Sequence, residues 1–162
     1  MRSHRTPQTA PSQLYTDEER ARRDATRWTV VQGVLAPLQF VVFLVSVVLV
    51  LRYLSTGEGY LAATISVLLK TAILYLIMVT GAIWEKVVFG QYLFAPAFFW
   101  EDVFSFGVIF LHTLYLYGLY LGGWSPRTLM MVALAAYAAY VINAAQFILK
   151  LRRARLDAGV PA

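Results

Sequence analysis

The sequence predicts an all-α integral membrane bundle of four transmembrane helices, with an interfacial or re-entrant loop between helices two and three. Three observations carry this prediction. First, 59% of the 162 residues are hydrophobic and only 14% are charged, whereas a soluble domain carries about 25% charged residues. Second, the few charges leave four long apolar stretches, each near the roughly 20 residues that cross a bilayer core. Third, Lys and Arg gather at the two ends of the chain, as membrane flanks do.

The stretches justify the helices in order. Trp28 to Leu51 is 24 uncharged residues between Arg27 and Arg52. Between Glu58 and Glu85 the one charge is Lys70, and between Asp102 and Arg127 there is none. A further 22 uncharged residues separate Arg127 from Lys150. Helices are expected over about 28–53, 60–84, 101–121 and 127–150. Before them, Thr16 and Glu19 have the spacing of a capping box, so a short surface helix is expected at about 17–25. Ser125-Pro126 suits the start of the fourth span, with Ser as cap and Pro in the first turn. The expected domains are therefore a tail with its short helix (1–27), the membrane domain (28–150) and a basic tail (151–162). The first dozen residues are expected to be disordered, and residues 1–27 lack the apolar region of a signal peptide.

Orientation follows from the cations. Arg2, Arg5, Arg20, Arg22, Arg23 and Arg27 precede the first span, and Lys150, Arg152, Arg153 and Arg155 follow the last. The turns between spans one and two and between three and four hold only Arg52 and Arg127. Both termini are expected on the cytoplasmic side of the membrane. The net charge of +5 then marks lipid flanks rather than nucleic-acid binding. The absence of cysteine excludes disulfide scaffolds, iron–sulfur clusters, thiolate metal sites and thiol nucleophiles. His4 lies in the tail, which excludes a bis-histidine haem.

The connection from Glu85 to Trp100 is nearly as apolar as the spans, but too short to cross and broken by Gly90 and Pro96. It reads as an aromatic flap, bracketed by Glu85, Lys86, Glu101 and Asp102. Polar residues inside a membrane are costly and face the bundle interior. Gln32 and Gln39 share a face of span one, and Asn143, Gln146 and Tyr140 share a side of span four. With the carboxyls they converge on one region near the cytoplasmic surface, although ordinary helix–helix hydrogen bonding accounts for each amide singly. His112 follows Glu101 by three turns, about 16 Å deeper. It is either a metal ligand or proton donor in a pocket, or a neutral imidazole bonded to a neighbouring hydroxyl or carbonyl. Mid-span Lys70 reads as structural, snorkelling or paired with a tyrosine or carbonyl. A carboxyl beside Trp84, Phe98, Phe99 and Trp100 is partly desolvated, which favours its proton-donating form.

Several runs are specific beyond composition. Trp28–Gln39 (WTVVQGVLAPLQ), Met78–Lys86 (MVTGAIWEK), Phe98–Ser105 (FFWEDVFS) and Ala133–Gln146 (ALAAYAAYVINAAQ) resemble the 3-vinyl bacteriochlorophyllide hydratase family, called the 2-vinyl hydratase in older ring numbering. The likeness extends from about Tyr15 to Leu156. It implies addition of water to the C3 vinyl group of chlorophyllide a or 3-vinyl bacteriochlorophyllide a, giving the 3-(1-hydroxyethyl) product in bacteriochlorophyll biosynthesis. It implies no redox cofactor, a large flat substrate bearing its own magnesium and a free propionate, and partners among the other enzymes of that pathway. The position after Trp84-Glu85-Lys86, often acidic in the family, is Val87 here.

Hydration of a conjugated vinyl group starts with protonation of the terminal carbon, and water then attacks the cation beside the macrocycle. That chemistry needs an acid, a positioned water with a base, and a dry pocket. Glu85 or Glu101 is the expected acid, and Asp102 the partner of the water. His112 is the expected axial ligand of the substrate magnesium or a second acid. Lys86 or a tail arginine pairs the propionate, and Gln32, Gln39, Trp100, Tyr140, Asn143 and Gln146 line the substrate slot. Two other readings stand beside this one. A non-catalytic pigment carrier or assembly factor would use the same slot without an acid. A small four-span exporter would carry a carboxylate deep in span one, where this chain has only Gln32 and Gln39.

Overall fold

The computed structural model describes residues 14–158. Those residues form five helices and, among the described residues, no strand: α1 (Asp17–Ala25), α2 (Arg27–Thr56), α3 (Tyr60–Phe89), α4 (Phe99–Tyr120) and α5 (Pro126–Ala158). Residues 1–13 and 159–162 lie outside this range, and with them the expected disorder of the first dozen residues and the arginines at 2 and 5. The helices α2 to α5 are each long and apolar enough to cross a membrane.

Local chemistry sets the helix ends. The Thr16 hydroxyl accepts from the Glu19 amide at 3.2 Å while the Thr16 amide donates to the Glu19 carboxylate at 2.8 Å, a closed capping box. Thr26 ends α1 and then caps α2 by accepting from the Trp28 amide. Gly57, at φ +77°, closes α2 in the left-handed conformation that a side chain disfavours. At the head of α5 the Thr128 amide donates to the Ser125 hydroxyl at 3.2 Å.

The long helices pack as two antiparallel hairpins, α2 with α3 and α4 with α5. The hairpins meet mainly through α2 and α5, and only thinly through α3 and α4. The hydrophobic effect is turned outward. Val30, Leu61, Phe110 and Ile148 are well exposed, while Gln39, Ser46, Lys70, His112 and Ser105 are buried. That distribution suits a hydrocarbon surround, where the interior is the place for polar groups. One end of the bundle collects α1, the start of α2, the α3–α4 connection and the end of α5; we call it the terminal end. There Tyr15 stacks on Phe89 at 5.8 Å and the Arg23 guanidinium lies 4.9 Å over the Tyr15 ring, so α1 is strapped across α3.

Several helix boundaries differ from the sequence expectation. α3 continues to Phe89 and α4 starts at Phe99, so the connection shrinks to residues 90–98 and its bracketing charges sit inside helical turns. An apolar run broken by glycine and proline hides such ends, because Val87, Val88 and Phe89 suit a helix as well as a flap. α5 also runs on through 151–158, the stretch assigned from sequence to the basic tail, since Lys and Arg are good helix formers.

A candidate active site at the terminal end of the bundle

A cleft of about 780 Å³ opens at the terminal end, within the range of about 300–1,000 Å³ usual for ligand sites. Leu14 and Glu19 wall it from the α1 side, Pro96 and Ala97 from the connection, Glu101 from α4, and Gln146, Lys150 and Arg153 from α5. The three α5 residues recur at helical spacing, so they form one stripe. Lys150 Nζ meets the Glu101 carboxylate at 2.5 Å, with side chains 27% and 8% exposed respectively. It also donates to the Ala97 carbonyl and lies 5.2 Å over the Phe98 ring. The lysine thereby ties α5 to α4 and to the connection.

Behind the Pro96–Ala97 wall lies a second acidic group. Glu85 in the last turns of α3 and Asp102 in the first turn of α4 are both buried. Their carboxyls neighbour each other, each held by one of two successive amides of the connection. Two neighbouring carboxyls hydrogen-bond only when one of them carries a proton. Phe94 N–H donates to Asp102 Oδ2 at 2.7 Å, and Ala95 N–H donates to Glu85 Oε2 at 3.3 Å. Phe94 sits at φ +60°, the one non-glycine residue with positive φ among those described. That turn aims both amides at the acids, as an anion-binding nest does.

The remaining expected site residues fall in three places. Asn143 is one turn inward from the cleft; its amide donates to Ser105 Oγ at 2.7 Å, and Ser105 donates to the Glu101 carbonyl. Gln146 faces the cleft, with a buried side-chain oxygen that has no protein partner. Gln32 donates to Thr80 at 2.7 Å, between α2 and α3 and away from the cleft. Lys86 turns outward, capping α3 on the Gly90 carbonyl at 2.7 Å. Trp100 is 65% exposed on the outer face, edge-on to Phe99.

His112 is fully buried in mid-bundle. Its Nδ1 pairs with the Val108 carbonyl at 2.8 Å, leaving Nε2 without a protein partner. Lys70, equally buried, places Nζ 3.7 Å over the Tyr140 ring and has no hydrogen-bond partner. Gln39 and Asn143 each hold a buried, unpartnered side-chain oxygen. Every such atom costs about 1–3 kcal/mol if left bare, so together they rival a whole domain's net stability of about 5–15 kcal/mol. Among the described residues, no three His, Cys, Asp or Glu side chains gather as a metal site.

Sequence reading missed Lys150 as a site residue, treating it as an orientation-setting charge, and offered Arg153 only as one of the tail arginines. Their signal was the periodicity: Asn143, Gln146, Lys150 and Arg153 continue one stripe of α5.

The fold and this cleft define a class: a four-span helical protein with buried carboxyl groups and a basic stripe converging at one end. Comparison with known proteins then narrows the class. The chain belongs to the 2-vinyl bacteriochlorophyllide hydratase family, whose model matches residues 15–153. It is 74% identical over 145 residues to the 2-vinyl bacteriochlorophyllide hydratase of Cereibacter sphaeroides, covering 89% of each chain. To that of Rhodobacter capsulatus it is 73% identical over 146 residues, covering 90% of this chain and 84% of the relative. No solved structure matches the chain.

Proposed function

We propose that this chain is a hydro-lyase of bacteriochlorophyll biosynthesis, adding water to the C3 vinyl group of chlorophyllide a or 3-vinyl bacteriochlorophyllide a. The observation that carries the mechanism is the division of the buried carboxyls into two kinds. Glu85 and Asp102 are buried side by side on successive backbone amides, a placement in which two carboxyls can share one proton; Glu101, next along the chain, is ion-paired with Lys150. The first kind is the acid and the second the base.

The pigment docks in the cleft with its propionate on Arg153, which no acidic side chain neutralises among the described salt bridges, and on the spare donors of Lys150. Its vinyl edge lies against Pro96 and Ala97. Ala95 touches the carboxyl pair while its two successors wall the cleft, so a small displacement of that wall admits the vinyl group to the acid. The pair delivers its proton to the terminal vinyl carbon. Positive charge develops on the carbon joined to the macrocycle, where conjugation spreads it. Water adds there, and Glu101 takes the proton the water loses. Return of that proton to the adjacent Asp102 restores the site, so the balance is one water consumed. Aromatic walls from Phe89 and Phe98 keep the cation from bulk solvent. In this reading His112, buried deeper than the cleft reaches, does not ligate the pigment magnesium.

The protein lies in the bacterial inner membrane with its terminal end on the cytoplasmic side, where the exposed Arg22, Arg152 and Arg155 meet lipid headgroups. The other enzymes of pigment synthesis pass substrate to it there. The test is an assay of membranes holding this protein alone, supplied with 3-vinyl bacteriochlorophyllide a. Gain of one water by mass, with a blue shift of the red absorption band, is the expected result. Pigment bound without turnover would instead favour a carrier, and neither binding nor turnover would defeat the reading.

A further inference from the structure

The two hairpins are joined along a polar seam that the mechanism above does not use. From the cleft inward, Asn143 bonds Ser105, Lys70 lies over Tyr140, and His112 stands 5.9 Å from the Tyr137 ring. The Tyr137 hydroxyl bonds Ser46 at 2.6 Å, and Ser46 bonds Ser66 at 2.7 Å. Asn143, Tyr140 and Tyr137 succeed each other every three residues of α5, about 4.5 Å per step. The seam is therefore a continuous polar column in a helical bundle whose outside is apolar.

The column is incomplete in hydrogen bonds. Lys70 Nζ, with up to three donors, has no acceptor; Gln39 Oε1, Asn143 Oδ1 and His112 Nε2 have no donor. His112 Nε2 is an acceptor because Nδ1 donates to Val108. Lys70 and His112 are fully enclosed and Gln39 is only 2% exposed. Lipid chains satisfy none of these atoms. A ligand that does so must be small, must both donate and accept, and must fit between rings. Water meets all three demands.

We infer that the seam is a water-binding site, held by Lys70, His112 and Asn143, whose near end at Asn143 and Ser105 leads the second reactant toward Glu101. The water site stands on this geometry alone; its supply of water to the reaction rests on the proposed hydration.

X-ray hydroxyl-radical labelling of the full chain in lipid nanodiscs tests the site, because a buried side chain is labelled quickly only beside a bound water. Tyr137 and Tyr140, 2% and 8% exposed, should label within about tenfold of Tyr92, which is 61% exposed. Lys70→Met should slow both by about fivefold or more and leave Tyr92 unchanged. His112→Leu provides the same comparison where Lys70→Met folds poorly. Labelling of both tyrosines about a hundredfold below Tyr92 in the unaltered protein would show a dry seam and overturn the inference. So would fast labelling that neither variant alters. For the supply role, kcat per folded enzyme should fall about tenfold or more with KM unchanged, in the same order across variants as the labelling. Labelled water with undiminished kcat would overturn that role alone, and an inactive unaltered enzyme would indict the hydratase reading instead.

Discussion

Replacing Lys150 by Met removes the cation that holds Glu101, and the structure sets the size of the effect. The pair meets at 2.5 Å, with Glu101 8% and Lys150 27% exposed. Leaving one partner of a fully buried pair alone costs about 3–5 kcal/mol, whereas an exposed pair is worth no more than about 1 kcal/mol. The lysine is partly wetted, so Lys150→Met should cost about 2–3 kcal/mol, including the Ala97 carbonyl that loses its donor. Glu101→Gln in that background removes the stranded charge and should restore all but about 1 kcal/mol. The assay is reversible unfolding in mixed micelles followed by tryptophan emission, since Trp84 packs edge-on to Phe98 at 5.7 Å and reports on this end. The double-mutant cycle isolates the coupling. A coupling below about 0.5 kcal/mol would refute the reasoning, because it would make the contact an ordinary surface pair.

Other perturbations separate the roles. Glu85→Gln and Asp102→Asn should each lower turnover by about 10²–10⁴-fold, the usual share of a general acid, while pigment still co-purifies; undiminished turnover in both would remove the pair from the chemistry. Arg153→Gln should raise KM about tenfold for the free-acid pigment and leave its methyl ester unaffected, read by initial rates on the two substrates. Gly118→Ala should destabilise the bundle by about 1–3 kcal/mol, because a Cβ there would stand 2.3 Å from Trp124 Cε3; thermal unfolding measures it. Thr16→Ala should fray α1 at a cost of about 1 kcal/mol, visible as faster amide exchange over residues 17–20.

The helices were legible because their signals are local. Charge spacing located four long helices, and the Thr16–Glu19 pair marked a fifth, which the structure places at Asp17–Ala25. The expectation that Lys70 pairs with a tyrosine has its counterpart in the Tyr140 ring. Contacts between distant positions were not legible. Nothing near Lys150 announces that it reaches Glu101, 49 positions earlier, and nothing in Glu85-Lys86 says which of the two turns inward. Helical phase decides that, and phase depends on where α3 ends. The broad convergence expected of Gln32, Gln39, Asn143 and Gln146 resolves into separate positions, because residues on one face of a long helix can still lie several turns apart.

The two-hairpin construction bears on how such a chain is made. Each hairpin is closed by a short turn and packs along its whole length, while the halves touch mainly through α2 and α5, where Ser46 bonds Tyr137 and Phe43 packs on Tyr137 and Tyr140. A ribosome therefore releases a finished first half before the second exists, and docking becomes a search between two preformed bodies. Hydrogen bonds such as Ser46 to Tyr137 are unmade until that search succeeds, which makes them the key that selects the correct rotation of one half against the other. Cutting the gene within codons 91–93 and co-expressing the fragments should then rebuild the protein from its parts.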